Sequence, residues 1–303
     1  MAKAAGAART PPRTAGEALA LAREYLARKG IEGARLEAEL LLAHALGLDR
    51  LRLYLQLDQP IGEAELERAR SLFARRAAGE PVAYITGRRE FYGRGFLVDA
   101  RVLIPRPETE LLVDRARELA AGRAGQSPRI GDVGTGSGCL AVTLALEIDD
   151  VIVIACDVSA EALELARENA RRLEASVDFR EGDGPRALHR QGEPPFDLIV
   201  SNPPYVTPEE AADLPREVRD FEPALALFTP RGDPMHWVRR ILDEAIGLLA
   251  PGGTLLVELG AGRSEAALRL AGERGLEART LRDLAGIERI LEVRVSRSGR
   301  RRG

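Results

Sequence analysis

The chain has few of the residues that build disulfide, metal or histidine-based sites. Its 303 residues include only two cysteines, Cys139 and Cys156, each in an apolar stretch. That context predicts two reduced, buried thiols rather than a disulfide framework. No cysteine or histidine spacing suits a metal, so none is expected. The histidines, His44, His189 and His236, are scattered, with no Ser or Cys motif beside them. A His-activated nucleophile is therefore not expected. Lysine is confined to Lys3 and Lys29, and the net charge is −3. Stable binding to nucleic acid is not expected from this charge. No apolar run approaches ~20 residues, so no membrane span is expected, and residues 1–13 lack the apolar segment of a secretory leader. A cytoplasmic protein is the resulting expectation.

The pattern along the chain changes period several times. Residues 1–13 are Ala-rich and read as a disordered tail; residues 298–303 form a basic one. Residues 14–78 read as a small helical domain. Thr14 is a candidate N-cap with Glu17 three residues on, and Gly30 is a stop. Leu36, Leu40, Leu41 and Ala43 give a second helix ending at Gly47, and a third runs near 63–78. Residues 79–104 read as a β-hairpin linker: Tyr84-Ile85-Thr86, Phe91-Tyr92 and Phe96-Leu97-Val98 surround Gly87 and Gly93-Arg94-Gly95. From 105 to 297, strands and helices alternate, which implies an α/β domain with a mostly parallel sheet. Strands are expected near 129–133, 151–156, 176–180, 196–201, 253–259, 276–281 and 287–295. Helices are expected near 138–147, 160–173, 235–249 and 263–273.

Two stretches carry the chemistry. In the first, Ile130-Gly131-Asp132-Val133 runs into Gly134-Thr135-Gly136-Ser137-Gly138. Alternate glycines let a backbone approach a ligand at a helix start. Asp157 ends the second expected strand, where a carboxylate can hold ribose hydroxyls. Asp183 and Gly184 follow the third, and Asp183 suits an adenine amino group. A nicotinamide cofactor would use a similar plan, and loop aspartates are common. The spacing, however, is G-x-G-x-G, and Asp132 would repel a pyrophosphate while suiting a cation. S-adenosylmethionine is cationic and phosphate-free.

The second stretch is Ser201-Asn202-Pro203-Pro204-Tyr205, after the apolar run 196–200. The prolines end the strand and stiffen the loop. The Asn202 side-chain oxygen and the Pro203 carbonyl become two fixed acceptors, suited to an NH2 group. Tyr205 suits a stacking role. An ordinary proline turn explains the same five residues about as well.

These stretches, with Phe91-Tyr92-Gly93, Val102-Leu103-Ile104-Pro105-Arg106-Pro107-Glu108-Thr109-Glu110, Phe221 to Leu227 and Asp283 to Arg289, give a chain that resembles the class I methyltransferases of protein glutamine, most closely their release-factor branch. The resemblance covers nearly everything from about Ala15. It implies a Rossmann-like domain with a seven-stranded sheet and a small N-terminal helical domain joined by a β-hairpin. It implies S-adenosylmethionine held by Asp132, Gly134, Thr135, Gly136, Ser137, Gly138, Asp157, Asp183, Gly184 and Asn202. Asn202, Pro203 and Tyr205 would be catalytic. Asn202, Pro203, Pro204, Tyr205 and Arg106 would bind the glutamine of a release factor's Gly-Gly-Gln motif. The helical domain would help dock the release factor. Related readings are methylation of a ribosomal-protein glutamine, of adenine N6 or guanine N2, or an idle binding protein. One departure concerns the cofactor: Gly184-Pro185 stand where the family often has a bulky residue and Phe, which leaves one face of an adenine less covered.

Overall fold

The computed structural model describes residues 13–122 and 127–296. Apart from Arg13, the expected tails lie outside the described residues. The chain forms two compact units, Met1–Thr86 and Gly87–Gly303.

The first unit is helical: α1 (Ala15–Arg28), α2 (Ala34–Leu46), α3 (Arg50–Leu55), α4 (Glu63–Ala77) and α5 (Val82–Thr86). Thr14 caps α1 as expected, its hydroxyl accepting from the Glu17 N–H at 3.2 Å. The Glu17 carboxylate accepts in return from the Arg13 N–H at 2.7 Å. Gly47, at φ 68°, ends α2. The expected apolar residues of α2 divide. Leu36 and Leu40 are exposed, while Leu41 and Ala43 are buried as expected and pack inward with Ala38, Leu42 and Ala45 against Leu26, Leu53 and Phe73. The α3 helix, capped by Asp49, was not expected: Leu51, Leu53 and Leu55 alternate like a strand. Tyr84-Ile85-Thr86 also departs from expectation. It is helical, opened by the Pro81 carbonyl, which accepts from Ile85 N–H at 3.0 Å. Its β-branched and aromatic content suits a strand, but no strand pairs with it, and Tyr84 and Ile85 are buried instead.

The second unit opens with an antiparallel hairpin, β1 (Arg88–Phe91) and β2 (Arg94–Leu97). Tyr92 and Gly93 turn it with φ 51° and 71°, the positive pair a two-residue turn needs. Next come α6 (Glu110–Ala121), β3 (Arg129–Val133), α7 (Cys139–Glu147), β4 (Ile152–Asp157), α8 (Ala160–Arg172), β5 (Asp178–Glu181) and β6 (Phe196–Ser201). Short helices α9 (Arg216–Phe221) and α10 (Ala224–Leu227) lead to α11 (His236–Ala245), β7 (Leu249–Glu258), α12 (Ser264–Glu273), β8 (Glu277–Arg282) and β9 (Glu288–Arg294). Seven strands form one sheet in the order β5-β4-β3-β6-β7-β9-β8, and only β9 runs antiparallel to its neighbours. Apolar side chains cover both faces in two layers, one around Ile130, Leu144 and Val200 and the other around Phe196, Ile199 and Leu255.

From β3 the chain winds outward to β5, then returns to lay β6 on the other side of β3. The carboxyl ends of β3 and β6 therefore flank a topological switch point, where open α/β sheets bind ligands. Register aligns Val133 with both Cys156 and Ser201. The Ser201 hydroxyl donates to the Val133 carbonyl at 2.8 Å. Cys139 and Cys156 are free and buried. Burial pushes both thiols up to about 12. Among the described residues, no helix is long and apolar enough to cross a membrane, and no acidic, His or Cys cluster is placed to hold a metal.

Candidate active site

The loop after β3 is tied to the end of β4. The Cys156 carbonyl accepts from the Gly134 and Thr135 N–H groups at 2.9 and 3.0 Å. The Asp157 carboxylate accepts from Gly136 N–H at 2.8 Å and Ser159 N–H at 2.9 Å, one on each oxygen. Each Asp157 oxygen keeps a further lone pair for a ligand. Burial is the largest influence on this carboxyl and raises it above its ordinary range, against those N–H bonds. Gly138, at φ 78°, starts α7, and a Cβ there would come 3.0 Å from Ala166. Its missing Cβ therefore serves close packing of α7 on α8. The loop is also held from α8: buried Asn169 donates to the Ser137 carbonyl at 2.9 Å and to that of Leu97 at 3.0 Å.

A cavity of about 310 Å³ opens above these ends, within the usual ~300–1,000 Å³ of small-molecule sites. Gly134, Gly136, Asp157, Asp183, Gly184, Asn202, Pro203 and Pro204 all line it. A smaller one of about 50 Å³ lies beside it, bordered by Asp132, Thr135, Ser137, Arg106 and Thr109; Asn202, Gly134 and Gly136 belong to both walls. Asp132 is 1% exposed. Burial pushes it up to about 7, against the Thr135 hydroxyl, with the Asp157 charge also raising it. That hydroxyl donates to Asp132 at 2.7 Å.

The prolines deliver Asn202 as expected, and its amide has a defined direction. Nδ2 donates to the Thr109 hydroxyl at 3.0 Å. Thr109, 3% exposed, ends the single turn Pro107–Thr109, and its hydroxyl lies close enough to the Glu258 carboxylate to lower that group's pKa. A hydroxyl has one proton. Turned toward the carboxylate side, it leaves the Thr109 oxygen to accept from Asn202. With Nδ2 tethered, Asn202 Oδ1 is left as the acceptor. Sequence reasoning missed both partners. Thr109 lies in the Pro105–Glu110 stretch, but its pairing spans 93 positions.

Tyr205 and Arg106 stand differently from expectation. Tyr205 is absent from the residues lining either cavity, and its ring packs on Gly260, where a Cβ would come within 2.9 Å. Arg106 borders the smaller cavity, but its guanidinium pairs with Glu222 at 2.6 Å. Glu222 also accepts from Ile104 N–H at 3.0 Å. The pair thus locks the 102–106 segment to the one after α9. Asp183 accepts from Arg240 at 2.8 Å.

Glu258 is 3% exposed, and its Oε2 has no partner among the described residues. Burial, the largest influence, pushes its carboxyl from 4.5 up to about 7; the Thr109 hydroxyl and the charges of Arg289 and Arg106 pull the other way, and Glu108 adds to the rise. A folded-state pKa above the unfolded one means the native protein binds the extra proton between those values. Stability is therefore lost as pH rises through the window from 4.5 to about 7. We predict that Glu258→Gln removes this fall, gaining about 3 kcal/mol relative to wild type across the window. Thermal melts that move in parallel with pH for both proteins would refute it.

Residues 17–87 match the family model described as PrmC N-terminal domain, and residues 108–219 match the Methyltransferase small domain. The release factor glutamine methyltransferase of Chlorobaculum tepidum is 44% identical over 273 residues, covering 88% of this chain and 92% of that protein. That of Bordetella pertussis is 45% identical over 273 residues, covering 90% and 98%. Among solved structures, the hMettl16 catalytic domain in complex with MAT2A 3′UTR hairpin 6 shares the fold. Its TM-score is 0.54 at 19% identity, covering 75% of this chain and 82% of that one.

Proposed function

The chain belongs to the release factor glutamine methyltransferase family, and from that premise we propose that it methylates the side-chain nitrogen, N5, of the glutamine in the Gly-Gly-Gln motif of peptide chain release factors, using S-adenosylmethionine. The observation that carries the reading is the Asn202 amide, fixed by Thr109 with its oxygen unspent, in the wall of a nucleoside-sized cavity.

The residues present fit the cofactor. Buried Asp132 and Asp157 near the glycine loop disfavour a pyrophosphate and suit a cation. Asp157 would take the ribose hydroxyls, the Gly134–Gly136 backbone would pass under the ligand, and Asp183 would meet the adenine end. When bound, S-adenosylmethionine supplies a methyl group on an electrophilic sulfonium.

The rest falls to the loop after β6. An amide nitrogen is a poor nucleophile because its lone pair is delocalised into the carbonyl. Asn202 is neutral, so positioning carries the catalysis rather than a strong base. Asn202 Oδ1 and the Pro203 carbonyl each accept one N–H of the glutamine. They hold the nitrogen with its lone pair directed into the cavity and stabilise the positive charge that develops on it. The extra proton then leaves to solvent.

The test is incubation with methyl-labelled cofactor and, in parallel, a release factor, a ribosomal protein or DNA. The expected result is label in the release factor, abolished when its motif glutamine is replaced. Label in DNA or the ribosomal protein alone would overturn the substrate reading.

A further inference from the structure

Trp237 is the only tryptophan in the chain. It sits in the first turn of α11, whose apolar face, Val238, Ile241, Leu242 and Ala245, is buried. Trp237 itself lines the larger cavity beside Asp183, Gly184, Pro185 and Ile241. Its Nε1 is buried and has no hydrogen-bond partner among the described residues. That nitrogen therefore faces protein rather than the open cavity, and it is the aromatic ring that borders the space.

The ring is held in place by its neighbours. His236 meets it edge-on, with centroids 5.0 Å apart. The Arg240 guanidinium lies 5.4 Å from its centroid. Arg240 is itself anchored, donating to the Asp183 carboxylate at 2.8 Å and the Asp183 carbonyl at 2.9 Å, and to Glu244 at 3.0 Å. These contacts couple Trp237 to the carboxylate expected at the adenine end.

The same contacts explain why the loop after β5 carries no bulk. Gly184 has φ 79°, and a Cβ there would lie 2.8 Å from the Arg240 guanidinium. A side chain at 184 would have to take the left-handed backbone and displace the guanidinium that steadies the tryptophan. The wall that this loop leaves thin is closed from the neighbouring helix.

We propose that Trp237 is a nucleoside-recognition residue: its ring closes the adenine end of the cavity in place of the bulk that Gly184-Pro185 lacks and offers the base an aromatic surface. The proposal rests on the cavity being the S-adenosylmethionine site.

The test uses the product analogue S-adenosylhomocysteine on the full chain. Because Trp237 is the sole tryptophan, its emission reports this wall alone. The expected result is a saturable change in emission with the same dissociation constant that calorimetry gives. Trp237→Phe, which keeps an aromatic ring, should bind within about threefold of wild type. Trp237→Leu, which loses the ring, should weaken binding about tenfold or more, with melting temperatures of both variants close to wild type. Calorimetric binding with unmoved emission, or a Trp237→Leu variant that binds within twofold of wild type, would overturn the role of Trp237 and leave the cofactor reading standing. Absence of binding by the wild-type protein would overturn both.

Discussion

Asn202→Ala is expected to lower methyl-transfer turnover about 100-fold or more, the scale of losing one preorganised polar partner of a developing charge. The affinity for S-adenosylmethionine should change far less, because Asp157 and the glycine loop stay in place. The loss has two parts. The Oδ1 acceptor disappears, and the Thr109 hydroxyl loses the Nδ2 donor that it meets at 3.0 Å. Thr109 variants separate them. Thr109→Val keeps Oδ1 but releases the amide to rotate, so turnover should fall by a smaller factor, about tenfold. Thr109→Ser restores the hydroxyl and should recover most of the rate. Single-turnover kinetics on a release factor, with calorimetry for the cofactor, measure both quantities. Near-normal turnover by Asn202→Ala would remove Asn202 from its role.

The parts of this site that were legible in the sequence are those written locally. Asp157 and Asn202 each follow a short apolar run, and Gly134 follows the short segment Ile130-Gly131-Asp132-Val133, all of which read as strands. The alternation of strands with helices then brings these strand ends to one edge of the sheet. What was not legible depends on partners distant in the chain. Nothing near Thr109 reveals that it meets Asn202. Nothing near Glu258 reveals that its carboxyl is enclosed beside that hydroxyl. Trp237 read only as part of a helix, and its place in the cavity wall depends on the β5 loop lying beside α11. Tyr84-Ile85-Thr86 misled for the complementary reason: its composition suits a strand, but strand formation needs a neighbour to pair with, and the fold provides none. In α2, either side of a leucine-rich helix could have faced inward, and packing against α1 and α4 decided for Leu41 and Leu42.

Asn169→Ala is expected to be the most destabilising of the substitutions considered. Asn169 lies on the buried face of α8 and is wholly buried. Its Oδ1 accepts from Leu97 N–H at 2.7 Å; its Nδ2 donates to the Leu97 carbonyl at 3.0 Å and to the Ser137 carbonyl at 2.9 Å. One side chain thus satisfies three backbone groups on two segments, the end of the β1–β2 hairpin and the glycine loop. Alanine would orphan all three where water has little access. Each such group costs ~1–3 kcal/mol, and because the two Leu97 bonds are only part-buried the lower part of the summed range applies, about 3–5 kcal/mol. For a unit of this size that is a fall of roughly 10 °C in melting temperature. Asn169→Asp is the sharper probe. It keeps an acceptor for Leu97 N–H but turns both carbonyl contacts from donor–acceptor into acceptor–acceptor pairs and buries a charge. It should therefore be no more stable than the alanine variant, despite being closer in shape. Because Ser137 belongs to the loop under the cavity, both variants should also bind S-adenosylhomocysteine more weakly at a temperature where they remain folded. A melting temperature within a degree or two of wild type for either variant would show that α8 does not hold the loop in this way.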